Sequence, residues 1–135
     1  MSQEKTQPLL FTPITIRGVT SKNRIVVSPM CQYNSDDGGP GDWQMMHLGR
    51  LAVGGAGIIF GEETGVEARG RKTYKCAGIW DDKHIPMYRR ITDFIKEQHP
   101  ILRFFNESFS STSFGAGIST VAMSKEFPFK QFSRN

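Results

Sequence analysis

The chain is short of nearly everything that marks an exported, membrane-spanning or nucleic-acid-binding protein. Its 135 residues include two cysteines, Cys31 and Cys76. That is too few for a disulfide framework, and reduced thiols in a cytoplasmic protein fit better. No run approaches the roughly 20 apolar residues of a membrane span. Residues 1–8 are polar and carry no apolar signal core. The net charge of +4 is scattered, and the densest basic stretch, RGRKTYK (69–75), follows Glu62, Glu63 and Glu67. A nucleic-acid partner is therefore not expected. What is present, 38% hydrophobic and 22% charged residues, is the balance of a globular chain. The length suits one domain with a modest core.

Residues 1–98 alternate between two patterns. RIVVSP (24–29) is a short β-branched run bounded by turn residues, which predicts a buried strand. GDWQMMHLGRLAVGG (41–55) predicts a helix, with Asp42 as N-cap, Met45, Leu48 and Ala52 at helical spacing, and Gly54-Gly55 as its end. AGIIFGEE (56–63) predicts a second strand. DDKHIPMYRRITDFIKEQ (81–98) predicts a second helix, with Pro86 in its first turn and Tyr88, Ile91 and Ile95 facing inward. Strand, helix, strand, helix is the order of an α/β fold with a parallel sheet.

From residue 99 the pattern changes. Residues 99–135 hold seven of the ten phenylalanines and seven serines without a sustained period. ILRFF (101–105) is the single strand candidate there. We expect an irregular or disordered tail. An unspliced intron or a shifted reading frame accounts for such sequence better than a solvated extension does.

Chemistry in a parallel α/β fold gathers where strands end. That singles out Ser28 to Tyr33 after the first strand, and Gly61 to Thr64 beside it. Pro29 suits a strand terminus because it has no N–H. Met30 and Cys31 are soft and polarizable, suited to lie against a flat aromatic ligand. Tyr33 can donate to a carbonyl oxygen. On composition alone, core packing for Met30 and Cys31 and a surface place for Tyr33 explain these residues better.

Three motifs in order, LFTPITI, KNRIVVSPMCQY and GRKTYKCAGIWDD, change that balance. Over residues 9–98 the chain resembles the N-terminal part of the Old Yellow Enzyme family of FMN-dependent NAD(P)H ene-reductases, most closely the branch with a cysteine at the end of the first barrel strand. The resemblance implies a TIM-type (β/α)8 barrel, of which this chain supplies the first two β/α units. It implies FMN as cofactor, NAD(P)H as reductant, and an enone or enal as small-molecule substrate. It places Ser28, Pro29 and Met30 along the flavin, Cys31 near the isoalloxazine ring, and Tyr33 at the substrate oxygen. Glu63 stands where relatives usually carry a small residue against the flavin. His47 and Arg50 are expected to be structural, Arg69 and Arg71 to lie in a solvated turn, and Trp80 to anchor the following helix.

A full barrel needs roughly 250 residues, and its phosphate site comes from the loops after strands seven and eight. This chain is therefore expected to be truncated and inactive by itself. The other readings are a non-catalytic truncated product and a small partner-binding module built on RGRKTYK and the phenylalanine-rich tail.

Overall fold

The computed structural model describes residues 7–107 and 118–122. It opens on a hairpin, β1 (Ile14–Ile16) and β2 (Val19–Ser21), paired antiparallel. The two-residue turn between them is Arg17-Gly18, with both φ angles positive, at 48° and 80°. Such turns match the right-handed twist of the flanking strands, and glycine supplies the conformation freely.

The main sheet follows. Strand β3 (Val26–Val27) leads to helix α1 (Asp42–Val53), then β4 (Ile58–Gly65), the short β5 (Ala77–Gly78), helix α2 (Ile85–Glu97), β6 (Ile101–Glu107) and β7 (Ile118–Ala122). Strands β3, β4 and β6 are parallel neighbours, β5 adds to the end of β4, and β7 returns antiparallel to β6. The α/β class and the parallel sheet match the expectation. Two complete β/α units are followed by a third parallel strand, which covers the ILRFF stretch. Residues 101–107 and 118–122 are thus extended, where an irregular tail is expected. Residues 108–117 and 123–135 of that expected tail lie outside the described residues.

Strand β3 is shorter than RIVVSP suggests, because within the described sheet it pairs on one side only, through Val26 with Ile58 and Val27 with Ile59. Helix α1 begins one residue after its cap, and that cap is Gly41, not Asp42. The Gly41 N–H donates to Gln44 Oε1 at 2.8 Å, half of a capping box. Asp81 caps the turn before α2 by accepting from Lys83 N–H at 2.9 Å.

The core lies between the sheet and the two helices. Leu48 and Ala52 of α1, Tyr88, Ile91 and Ile95 of α2, and Ala56, Ile59 and Leu102 form one buried cluster. The inward stripe expected for α2 is the one observed. Apolar area removed from water, at about 25 cal/mol per Å2, holds this layer together.

Strand β4 carries one irregularity that shapes everything beyond it. Phe60 pairs with Arg103, yet Glu63 pairs with Phe105. Three steps along β4 thus oppose two along β6, which is a β-bulge at Gly61–Glu62. A bulge shifts the alternation of faces by one residue. Ile59 and Gly61 are buried before it, and Glu62 and Thr64 after it.

Candidate functional site

The segment after β3 runs along the C-terminal edge of the parallel sheet. Ser28, Pro29 and Met30 are exposed, Met30 at 46%. Cys31 is half-buried and Tyr33 is 49% exposed. A thioether and a phenol are therefore exposed in this segment, with a half-buried thiol between them in sequence. Of the expected site residues, the structure brings Cys31 and Glu63 together: a backbone hydrogen bond from Glu63 reaches the Cys31 sulfur. Burial pushes the Cys31 thiol up from its ordinary value. The Glu63 hydrogen bond works against that shift, and the nearby Glu63 and Glu62 carboxylates add to it. Cys31 and Cys76 are both free of disulfides.

Glu63 is half-buried and pairs with Lys72. Its neighbour Glu62 is the deeply buried one, at 7% exposure. Glu62 Oε2 accepts from the Gln32 N–H at 2.9 Å, and Oε1 accepts from Gln44 Nε2 at 3.3 Å. Gln44 Nε2 also donates to Ser35 Oγ at 3.2 Å. Burial raises the Glu62 carboxyl above its ordinary value, while these two donors favour the charged form. Two residues along β4, Thr64 is buried and donates from its hydroxyl to Glu62 O at 3.0 Å, close to the buried Tyr88 hydroxyl. Burial pushes that phenol well above its usual range.

Tyr33 has φ +50°, uncommon for a bulky residue. Such backbone persists only where its surroundings hold it. Here Gln32 is tied on three sides. Its N–H binds Glu62, its Nε2 donates to Met30 O at 2.9 Å, and its Oε1 accepts from Trp43 Nε1 at 3.1 Å. On the other flank, Ser35 N–H donates to Lys75 O at 3.0 Å.

The turn beyond, Asp36–Gly39, docks on the loop that precedes α2. Asp37 pairs with Arg71 at 3.0 Å and with Lys83 at 2.8 Å. These two cations hold its carboxyl below the usual range, Lys83 first. Arg71 is thus no solvated turn residue, since its guanidinium also lies over the rings of Tyr74 and Trp80. Arg69, by contrast, is exposed and pairs with Glu67. Trp80 packs edge-on against His84 with ring centroids 5.2 Å apart, at the start of α2 as expected. A Cβ on Gly78 would stand 1.9 Å from the Trp80 ring, so that position admits only glycine. His84 is buried, with Nε2 3.0 Å from Asp37 O. His47 is buried in α1, where burial and then Arg50 lower its pKa.

Of this network the sequence reading missed Gln44 altogether, and gave no role to Gln32 and Glu62 although both fall within the stretches it singled out. The available signal was the pair Glu62-Glu63 itself, since one of two adjacent strand residues must face the helices.

Met30 and Tyr33 are thus exposed after the end of β3, and the hydrogen bonds of Gln32 anchor the backbone between them. The chain is similar to known proteins in sequence and in fold. The family model for NADH:flavin oxidoreductase / NADH oxidase matches residues 9–103. The NADPH dehydrogenase of Geobacillus sp. (strain WCH70) is 46% identical over 93 residues, covering 67% of this chain and 27% of the relative. A variant of NCR from Zymomonas mobilis superposes with a TM-score of 0.68 at 26% identity, over 76% of this chain and 33% of that one. The Old Yellow Enzyme of Trypanosoma cruzi shares the fold, with a TM-score of 0.65 at 24% identity, over 74% of this chain and 27% of that one. The chain thus spans about a quarter of the curated relative's length. It belongs to the NADH:flavin oxidoreductase / NADH oxidase family.

Proposed function

We propose that this chain supplies one wall of the flavin site of an FMN-dependent NAD(P)H oxidoreductase acting on activated C=C bonds of α,β-unsaturated carbonyl compounds. The observation that carries the reading is the segment after β3, with Met30 and Tyr33 exposed and Cys31 half-buried between them beside Glu63 of β4, in a chain of this family. When bound, FMN supplies the hydride chemistry, with NAD(P)H as the reductant. Ser28, Pro29 and Met30 line the ring system, and Met30 adds polarizable contact. Cys31 lies beside the ring, and Glu63 next to it sets the local charge together with Lys72. The exposed Tyr33 hydroxyl donates to the substrate carbonyl oxygen and draws charge from the alkene. Free thiols at Cys31 and Cys76 suit a reducing cytoplasm.

On this reading the chain's own edge is enough to hold the flavin ring system, while turnover needs the remaining strands of a full (β/α)8 barrel. The competing reading, a partner-binding module built on RGRKTYK, has less support. Arg69, Arg71 and Lys72 of that stretch are engaged with Glu67, Asp37 and Glu63.

The test is FMN titration of the chain, followed by flavin fluorescence. Saturable quenching is expected, and Cys31→Ala shifts the reduction potential of the bound flavin without unfolding the chain. Absence of any saturable FMN uptake would overturn the reading. Where turnover is measurable, Tyr33→Phe slows alkene reduction more than flavin reduction by NAD(P)H. Equal losses in both half-reactions would remove Tyr33 from the substrate side.

A further inference from the structure

The carboxylate nearest the proposed flavin edge is Glu63, yet the better-connected one is Glu62. The bulge at Gly61–Glu62 turns Glu62 away from the edge and toward α1. There it meets a chain of donors whose direction is fixed. The Gly41 N–H occupies Gln44 Oε1, so Gln44 offers only its Nε2 hydrogens to Glu62 and Ser35. The Gln32 N–H approaches the other Glu62 oxygen. Both oxygens of Glu62 therefore accept, an arrangement that favours the carboxylate over the acid. The residue held this way sits between Cys31 and the positive-φ Tyr33.

We propose that Glu62 is a positioning residue: its buried carboxylate, aimed by the bulge in β4, grips the Gln32 backbone and thereby sets where Cys31 and Tyr33 stand. The role assigned toward the flavin rests on the function proposed above; the grip on Gln32 does not. Glu62 touches neither cofactor nor substrate and acts through the segment that does. Bulges are over-represented beside active sites because they re-aim a side chain, and a hydrogen bond to a buried charge is among the stronger ones.

Amide hydrogen exchange on the full chain tests this directly. Glu62→Met keeps the volume and removes both acceptors. Exchange at Gln32 and through Ser35 is expected to rise at least about tenfold, while the amides of Ile91 and Ile95 in α2 keep their protection. If α2 also loses protection, the variant has unfolded and Gln44→Met decides. That variant leaves the Gln32 bond but frees the second oxygen, and a smaller rise confined to the same segment is expected. Exchange at Gln32 within about twofold of the parent chain in the folded variants would overturn the proposal. Titration with FMN separates the two claims. If neither parent nor variant quenches FMN while the exchange difference stands, the flavin reading falls and the grip on Gln32 survives. If parent and variant bind FMN equally despite that difference, the positioning role toward the flavin is overturned.

Discussion

The two ends of strand β4 are buried against the same two helices by different means. At its start, Ile59 belongs to the buried cluster that Leu48 and Ala52 of α1 and Ile91 and Ile95 of α2 also form. At its end, Glu62 meets Gln44 of α1, and Thr64 meets Tyr88 of α2. The first end gains from area removed from water, which is non-directional and tolerates small shifts. The second gains only if every donor finds its acceptor, because an unpaired buried polar group costs what a lost hydrogen bond costs. The apolar end therefore holds the fold together, and the polar end fixes the geometry of the edge above it.

The sharpest way to break this comparison is to damage each end in turn. Ile95 is fully buried, and Ile95→Ala is expected to lower stability by about 2–5 kcal/mol, read as a loss of Tm. Exchange should then rise over the whole chain, not in one segment. A rise confined to residues 28–35 would show that the two ends are not divided as described.

Asp37→Asn is a milder change at the polar end. Asparagine tolerates the positive φ of 42° at this position, so the substitution isolates the charges that face Arg71 and Lys83. Local exchange at Asp36–Gly39 should rise while Tm moves far less than in Ile95→Ala, because exposed ion pairs are weak and screened. Added salt should bring the parent chain toward the variant.

His47 sharpens the comparison through pH. Burial lowers its pKa from the ordinary 6.5, so on acidification the unfolded chain takes up the proton first. Its contribution to stability is fully present above pH 6.5 and is lost as pH falls below that value toward the folded pKa. Replacing it, as His47→Gln, should flatten the pH dependence of Tm in that window. An unchanged slope would assign the pH dependence to other groups.

Much of the apolar end was legible in the sequence. The spacing of Tyr88, Ile91 and Ile95 set the buried face of α2, and Leu48 and Ala52 that of α1, because helical period is a local property. The polar end was legible only in part. Ser28 to Tyr33 stood out through its unusual neighbours and its family resemblance. That Glu62 and not Glu63 points inward depends on a bulge in the pairing with β6, and register is a property of two strands that neither sequence carries alone. The hairpin at residues 14–21 had a local signal, Arg17-Gly18 between two alternating β-branched runs. The Asp37 link to Arg71 and Lys83 joins residues 34 and 46 positions apart, a distance at which sequence pattern is silent.

The most direct test of the central claim, that the ends of β3 and β4 form the flavin-binding edge, is amide hydrogen exchange of the chain with and without FMN. Slowed exchange concentrated in residues 30–33 and 62–64, with little change in α2, is the predicted result. Protection elsewhere, or none at saturating FMN, would contradict it.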